Sequence, residues 1–401
     1  MSQPVAGSAH SGEVRFGIVG LGNIGQSHLR TLESDQVPGA CVRGVVARSG
    51  GGNSSQNTDY LADHISRYNS LPEMLAAADI DAVVVATPTH DHIESGMAVL
   101  QSGKHLLMEK PLAASVGQAQ QLLDTLAGKA ASHQMAAVML NQRHHPIYRR
   151  IHELISSNTL GSLVRFNWTM TAWYRPDVYF QVSPWRGTWP GEGGGALLNQ
   201  CIHNLDVLQW FFGLPDSVMA QANFGKFHNI AVEDEVSALL RWDTGMTGVL
   251  VASTGEAPGI NQLDIVGDSG QLSFDGTTLT LARANQSVSE HCASTLEMFG
   301  VPEFNETSVE GVPCDNQHAA IFNNLVGAIR GEVALETPLL AGMDALMLAN
   351  ATLLSAWEDQ RVSIPLQAQT YEAALQQRVA QDSMRTPREV DVQIDMDKSY
   401  R

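Results

Sequence analysis

At 401 residues, with a formal net charge of −18 and a pI near 5.1, the chain is long for one core and reads as two domains, each able to bury a sizeable interior. Its negative field argues against nucleic acid or an anionic membrane as partner, because polyanions are repelled at long range. Cys41, Cys201, Cys292 and Cys314 show no CxxC spacing, so neither a disulfide framework nor a zinc knuckle is expected, and a reducing, cytoplasmic setting fits.

Residues 1–12 are small and polar without an apolar leader and are expected to be disordered; no run approaches the roughly 18 apolar residues that span a bilayer. From Val14 to Leu140, short apolar runs alternate with helical patterns, the signature of βαβ units and a parallel sheet. Val14–Val19 predicts a first strand. Gly20-x-Gly22-x-x-Gly25 then leads into a helix carrying Leu29 and Leu32, and Val42–Ala47 predicts a second strand. Ala82–Ala86 reads as a central strand buried on both faces, ending at Thr87-Pro88-Thr89. A helix through Met97 and Val99 stops at Gly103, and His105–Met108 is the next strand, with Glu109-Lys110-Pro111 just past its carboxyl end. Ligands sit there in open α/β sheets. Ser115 and Gln118 predict a capping box, and Met135–Leu140 a further strand that closes the domain.

After Arg143 the period changes. Runs at 164–170, 235–242, 247–253, 262–266 and 278–282, joined by glycine-containing turns, indicate a largely antiparallel sheet. Helices are expected over about 316–330, with Gly331 as C-cap, and about 343–357. The expected architecture is α/β: a Rossmann dinucleotide-binding domain over 13–142, an α+β domain with a large, mainly antiparallel open sheet over 143–385, and a peripheral tail over 386–401.

The glycine turn carries a specific chemistry. Gly20 permits the turn, Gly22 lets the backbone approach a pyrophosphate at the helix start formed by Asn23 and Ile24, and Gly25 lets helix and strand pack. At the end of the second strand, where an acid would bind the ribose of NAD, no Asp or Glu occurs between Asp35 and Asp59. Arg48 and Ser49 are placed to hold a 2′-phosphate, which favours NADP over NAD, although Arg48 also reads as a solvated surface arginine. Lys110, ending a buried strand, is a proton donor where a cofactor would lie. Gly193-Gly194-Gly195 opens a predicted helix on which Asn199 and His203, four apart, share a polar face opposite Ile202, Leu205 and Leu208. A histidine there titrates near neutrality and can take a hydroxyl proton. Taken alone, such a residue is more often a satisfied structural histidine.

These motifs in order resemble the Gfo/Idh/MocA oxidoreductases, named for glucose-fructose oxidoreductase, inositol dehydrogenase and the rhizopine-catabolism protein. The resemblance covers nearly the whole chain and rests on the glycine turn, Thr87-Pro88 with His92, Gly103-Lys104-His105 leading to Glu109-Lys110-Pro111, Arg143 with Pro146, and the triple-glycine segment through His203. It implies that Lys110 and His203 flank the hydroxyl being oxidised and that Thr87, Pro88, His92, Glu109 and Lys110 border the cofactor. Many members carry Asp at the position of Asn199. An amide cannot be a base, so Asn199 is expected to position substrate while His203 and Lys110 handle the proton. Trp185 and Arg186 resemble an element that approaches the cofactor, with a surface loop as the other reading. Tyr174, Tyr179 and Trp189 are candidates to stack on a sugar ring or to pack.

His90-Asp91-His92 and His144-His145 lack a third ligand at metal spacing, so no metal is expected. The reading is an NAD(P)-dependent dehydrogenase acting on a secondary hydroxyl of a sugar, glycoside, sugar acid or cyclitol, working as a homodimer or homotetramer through the C-terminal sheet. A redox-assisted glycosidase, epimerase or lyase with tightly bound NAD shares the same hydride site. A non-catalytic nucleotide-sensing regulator of this fold is the other alternative, and retention of Lys110 and His203 argues against it.

Overall fold

The computed structural model describes residues 12–46, 61–128, 133–383, 386 and 388. The segment 1–11, Arg48 and Ser49, and nearly all of 386–401 lie outside the described residues.

Six strands, β1 (Val14–Val19), β2 (Ala40–Val46), β3 (Ser66–Tyr68), β4 (Ala82–Val85), β5 (His105–Met108) and β6 (Ala136–Val138), form one parallel sheet in the order β3-β2-β1-β4-β5-β6. The order reverses at β1 and β4, so a crevice opens at their carboxyl ends. Helices α1 (Asn23–Leu32), α2 (Leu71–Leu75), α3 (His92–Gln101) and α4 (Val116–Ala127) make the crossovers. All four residues of β4 are fully buried, as an apolar central strand covered on both faces requires. Ser115 caps α4 through the Gln118 N–H, but the Gln118 side chain accepts from the Ala114 N–H, one residue earlier than in a capping box.

A 3-10 turn at Asn141–His144 and helix α5 (Pro146–Ser156) lead to the second sheet. It contains β7 (Leu163–Met170), β8 (Ser217–Phe224), β9 (Glu233–Arg241), β10 (Thr247–Ser253), β11 (Asn261–Gly267), β12 (Gly270–Phe274), β13 (Leu279–Ala284), β14 (Phe304–Val309) and β15 (Val362–Ser363). Its order is β14-β13-β12-β11-β7-β10-β9-β8-β15, antiparallel except where β7 meets β10. The sequence pattern missed β3, β8, β12, β14 and β15, whose solvent faces carry mixed polar residues or which are only two or three residues long.

One face of this sheet is covered by helices. Between β7 and β8 lie α6 (Asp177–Gln181), α7 (Trp189–Glu192), α8 (Ala196–Asn199) and α9 (Ile202–Phe212). Later come α10 (Val288–Ser294), α11 (Gln317–Ile329), α12 (Leu339–Glu358) and α13 (Ala368–Val379). Although α11 comes late in the chain, it packs on the first sheet: Phe322 and Leu325 join a core with Phe16 and Ile18, and the Phe16 and Phe322 rings meet edge-on at 5.8 Å. Helix α12 corrects an expectation, because it is long and apolar enough to cross a membrane, with mean hydropathy 1.5 over an 18-residue window. Its window is 78% buried inside the protein, where it packs against β8, α9 and α4. It is the central helix of the core.

Candidate active site

The glycine turn has the geometry its residues dictate. Gly20 lies at φ +91°, and a side chain there would collide with the Ala86 carbonyl at 2.6 Å. A Cβ on Gly25 would fall 1.9 Å from the Gly20 carbonyl oxygen, so helix α1 reaches the strand only because Gly25 has none. At Gly22, the N-cap of α1, a methyl group would meet nothing within 4 Å, no side chain caps the helix, and its first turn through Asn23, Ile24 and Gly25 carries no acid. An open helix start with free dipole and no competing carboxylate suits a pyrophosphate. At the end of β4 the Thr87 hydroxyl is buried without a partner, beside Pro88. These features fit a dinucleotide.

His92 begins α3 and is buried. Its Nδ1 lies 2.8 Å from the Pro111 carbonyl and its Nε2 2.9 Å from the Thr87 carbonyl, so neither ring nitrogen is left for a cofactor. The ring straps the β4 end to the loop after β5. Glu109 is likewise internal: Oε1 pairs with His28 Nε2 at 2.6 Å, and Oε2 accepts the Lys110 backbone N–H at 3.0 Å. Burial alone would raise this carboxyl, but the His28 bond and charge, with Lys110, pull it down to about 2. His90 pairs only loosely with Asp91, at 3.6 Å, and among the described residues no group of three ligating side chains could hold a metal.

Lys110 joins the two sheets. Its ammonium donates to the Asn199 backbone carbonyl at 2.9 Å. Burial holds its proton affinity below that of an ordinary lysine, opposed by Glu109 and Glu192 and reinforced by Arg175 and Arg186.

The triple-glycine segment differs from its expected form. In place of one helix there are two, because the Cys201 N–H reaches back five residues to the Ala196 carbonyl at 2.8 Å and widens the turn. Asn199 therefore ends α8 and His203 lies in the first turn of α9, and the two do not share one regular helix face. Nor is α9 two-faced: Ile202 through Leu208 are all buried. Its polar groups find internal partners. Arg143 donates to both oxygens of Asp206 at 2.8 and 2.6 Å, and Asn204 accepts from Trp173 Nε1 at 3.2 Å. His203 is the exception. Its Nδ1 is buried and unpartnered, and burial, with the Lys110 charge, holds the ring well below the usual histidine range and hence neutral.

Around Asn199 stand Glu192 and Gln200, which the sequence pattern had not singled out, together with Tyr179, which it had. The Asn199 amino group donates to Glu192 Oε1, and its carbonyl oxygen accepts from the Tyr179 hydroxyl at 3.2 Å. Gln200 Nε2 donates in turn to the Tyr179 oxygen at 3.3 Å. Glu192 Oε2 accepts the Gly187 N–H at 2.6 Å, and burial pushes its carboxyl up to about 7 despite Gly187, Arg186, Asn199 and Lys110. Glu233 caps the start of α8 through the Gly195 and Leu197 N–H groups at 2.8 and 2.9 Å, and burial raises it also to about 7. Arg186 lies over Tyr179 at 4.1 Å and Trp185 at 5.0 Å, with its Nε buried and unpartnered. Tyr174 stands 48% exposed, and it is Tyr179 that reaches Asn199. Trp189 is buried against Trp357 and Phe224, which removes it as a sugar platform.

His28 and His318 complete the surroundings of Glu109, their rings 5.6 Å apart, with burial and His28 pushing His318 down to about 4. Helix periodicity places His28 among the buried residues of α1 but gives no reason to pair it with Glu109. His318 has no local signal, since only the fold brings α11 to this place.

Residues 14–137 match the family described as an oxidoreductase family with an NAD-binding Rossmann fold, and residues 148–273 match the C-terminal domain of the same GFO/IDH/MocA family. Among curated relatives, the rhizopine catabolism protein MocA of Rhizobium meliloti is 26% identical over 200 residues, covering 50% of this chain and 57% of the relative. The chain thus spans little more than half the length of that relative. Levoglucosan dehydrogenase of Pseudarthrobacter phenanthrenivorans is 25% identical over 298 residues, covering 65% of this chain and 73% of the relative. Among solved structures, the WlbA dehydrogenase of Chromobacterium violaceum, in complex with NADH and UDP-GlcNAcA, superposes with a TM-score of 0.75 at 24% identity, over 91% of this chain and all of that one. This last likeness is one of fold.

Proposed function

Because the chain belongs to the Gfo/Idh/MocA oxidoreductases, we propose that it is an NAD(P)-dependent dehydrogenase oxidising a secondary hydroxyl of a sugar, glycoside, sugar acid or cyclitol. The observation that carries the reading is the meeting of Lys110 with Asn199 beside a neutral His203 whose Nδ1 is buried and unpartnered. When bound, the dinucleotide supplies a nicotinamide that accepts hydride. The α1 start from Gly22 through Gly25 would hold the pyrophosphate, while Thr87, Pro88, Trp185 and Arg186 would line the dinucleotide and exclude water. His92 and Glu109 act by shaping the loop that carries Lys110.

The step balances simply. The carbinol carbon gives up its hydrogen with both electrons, the C–O bond becomes a carbonyl, and the hydroxyl proton passes to the neutral His203 ring. Lys110 hydrogen-bonds the same oxygen and steadies its charge. Asn199, whose side chain has no basic atom, orients the sugar. The names of the relatives support this substrate class, one being a levoglucosan dehydrogenase and another a myo-inositol 2-dehydrogenase.

NADP is the favoured dinucleotide, supported by the absence of an acid between Asp35 and Asp59 and by Arg48 and Ser49. The protein assembles as a homodimer or homotetramer through the open face of the second sheet, where Met219, Leu239 and Val249 stand exposed side by side across three strands. A reducing, cytoplasmic setting agrees with four unpaired cysteines. A panel of sugars, glycosides and inositols tests the activity, assayed for reduced dinucleotide and separately for product. Accumulation of NAD(P)H with one substrate class is expected. Product without it overturns net oxidation in favour of a redox-neutral use of the cofactor.

A further inference from the structure

Four polar side chains form a single line from Gln200 to Glu192. Gln200 donates to Tyr179, Tyr179 donates to Asn199 Oδ1, and Asn199 Nδ2 donates to Glu192 Oε1. Each middle member can donate or accept, so the line has two possible polarities. What selects one is its end. An ionised carboxylate has no hydrogen to give, so the amino end of Asn199 must face it and the carbonyl end must face Tyr179. The Asn199 carbonyl and the Tyr179 oxygen then each keep acceptor capacity beside the Lys110 ammonium, which is anchored on the Asn199 backbone. Acceptors are what the hydroxyl hydrogens of a polyol need.

We propose that Glu192 is the positioning residue of this site: its carboxylate fixes the polarity of the Gln200–Tyr179–Asn199 line, so that acceptors face the sugar, and supplies negative charge to Lys110. This rests on the dehydrogenase reading and deepens it. Glu192 does not reach the substrate itself, since it is buried with one oxygen on Gly187 and the other on Asn199. Its charge has work to do. The cations Lys110, Arg175 and Arg186 gather here, and Glu109, the other anion acting on Lys110, is committed to His28 and the backbone.

The device is sensitive to pH. The groups facing Glu192 are the Gly187 N–H and Arg186 from its own loop, Asn199 from α8, Lys110 from the loop after β5 and Glu233 from β9. Burial raises the Glu192 carboxyl to about 7, so it gains a proton near neutrality. A protonated Glu192 can donate, Asn199 can turn over, and the line loses its fixed direction. The acid limb of kcat/KM is therefore expected near neutral pH.

Glu192→Gln tests this, because it keeps shape while removing charge and ionisation. In the full chain with saturating dinucleotide, the variant should hold dinucleotide affinity within about twofold, raise the KM for the sugar about tenfold, and lose the acid limb; a defect confined to folding would not remove a titration. Glu192→Asp keeps the ionisation but draws it back from Asn199, and should keep an acid limb while raising KM. Variants that retain the wild-type KM and pH profile overturn the proposal while leaving the dehydrogenase reading intact. A wild-type protein that binds dinucleotide yet oxidises no polyol overturns both.

Discussion

Glu109 and Glu192 are both buried carboxylates within the electrostatic reach of Lys110, yet one is held down to about 2 and the other pushed up to about 7. Burial raises both. The difference lies in partners. Lys110 acts on both, but Glu109, on the loop after β5, is bonded to a histidine ring, whereas Glu192, in the segment leading into α8, is bonded to a backbone N–H and a neutral amide. Position in the interior therefore does not decide charge; the partner does. The first region carries a fixed charge that shapes a loop, and the second a titratable group that sets a hydrogen-bond direction.

Asp206 extends the comparison to a carboxylate with a bidentate cation, and supplies the largest expected effect. Asp206→Ala leaves Arg143 buried without its partner and is expected to cost about 3–5 kcal/mol, read by denaturant unfolding. A cost under about 1 kcal/mol would show that the pair does not clamp α9. Lys110→Ala comes next. It should keep dinucleotide binding and lose at least about a hundredfold in turnover, the size of removing a group that handles the proton. Retained turnover would remove Lys110 from the chemistry and leave it as a link between sheets.

The titrations make opposite predictions for stability. Glu109 has a depressed folded value, so its contribution is present above about pH 4.5 and is lost as pH falls towards 2. Glu192 has a raised value, so its contribution is full below about pH 4.5 and is lost as pH rises through 7. Glu192→Gln should therefore flatten the decline between about pH 4.5 and 7 by up to about 3 kcal/mol while leaving the loss below about pH 4.5 unchanged. Thermal midpoints across pH 4 to 9, at about half-unit steps, check this; an unchanged slope between about pH 4.5 and 7 would place the Glu192 titration elsewhere. The smallest effect concerns the turn: Gly22→Ala, with open space around it, should fold with an unchanged midpoint and bind dinucleotide less tightly, whereas Gly25→Ala should destabilise the domain. Titration should also give tighter NADP than NAD binding, and the reverse would reject the role of Arg48.

Much of this was legible in the sequence where a residue's chemistry is local. The glycine spacing, the buried β4 and the Lys110 position after β5 all follow from strand-turn-helix patterning, and the structure has each where the pattern puts it. The partners were not legible. His28 is far from Glu109 in the chain, Glu192 acquires its role only when the segment before α8 folds back, and the widened turn at Cys201 arises from a five-residue backbone bond that no side-chain period encodes. The mostly antiparallel second sheet was visible by its period of two, but its short or mixed-polarity strands were not.

The central claim is that His203 takes the proton as hydride leaves the sugar. It is tested most directly by following nicotinamide reduction in a single turnover, with wild-type protein and His203→Ala each loaded with dinucleotide and mixed with the substrate that the panel identifies. The predicted result is a loss of at least about a hundredfold in the reduction rate with unchanged dinucleotide affinity. Reduction at the wild-type rate in the variant would contradict it.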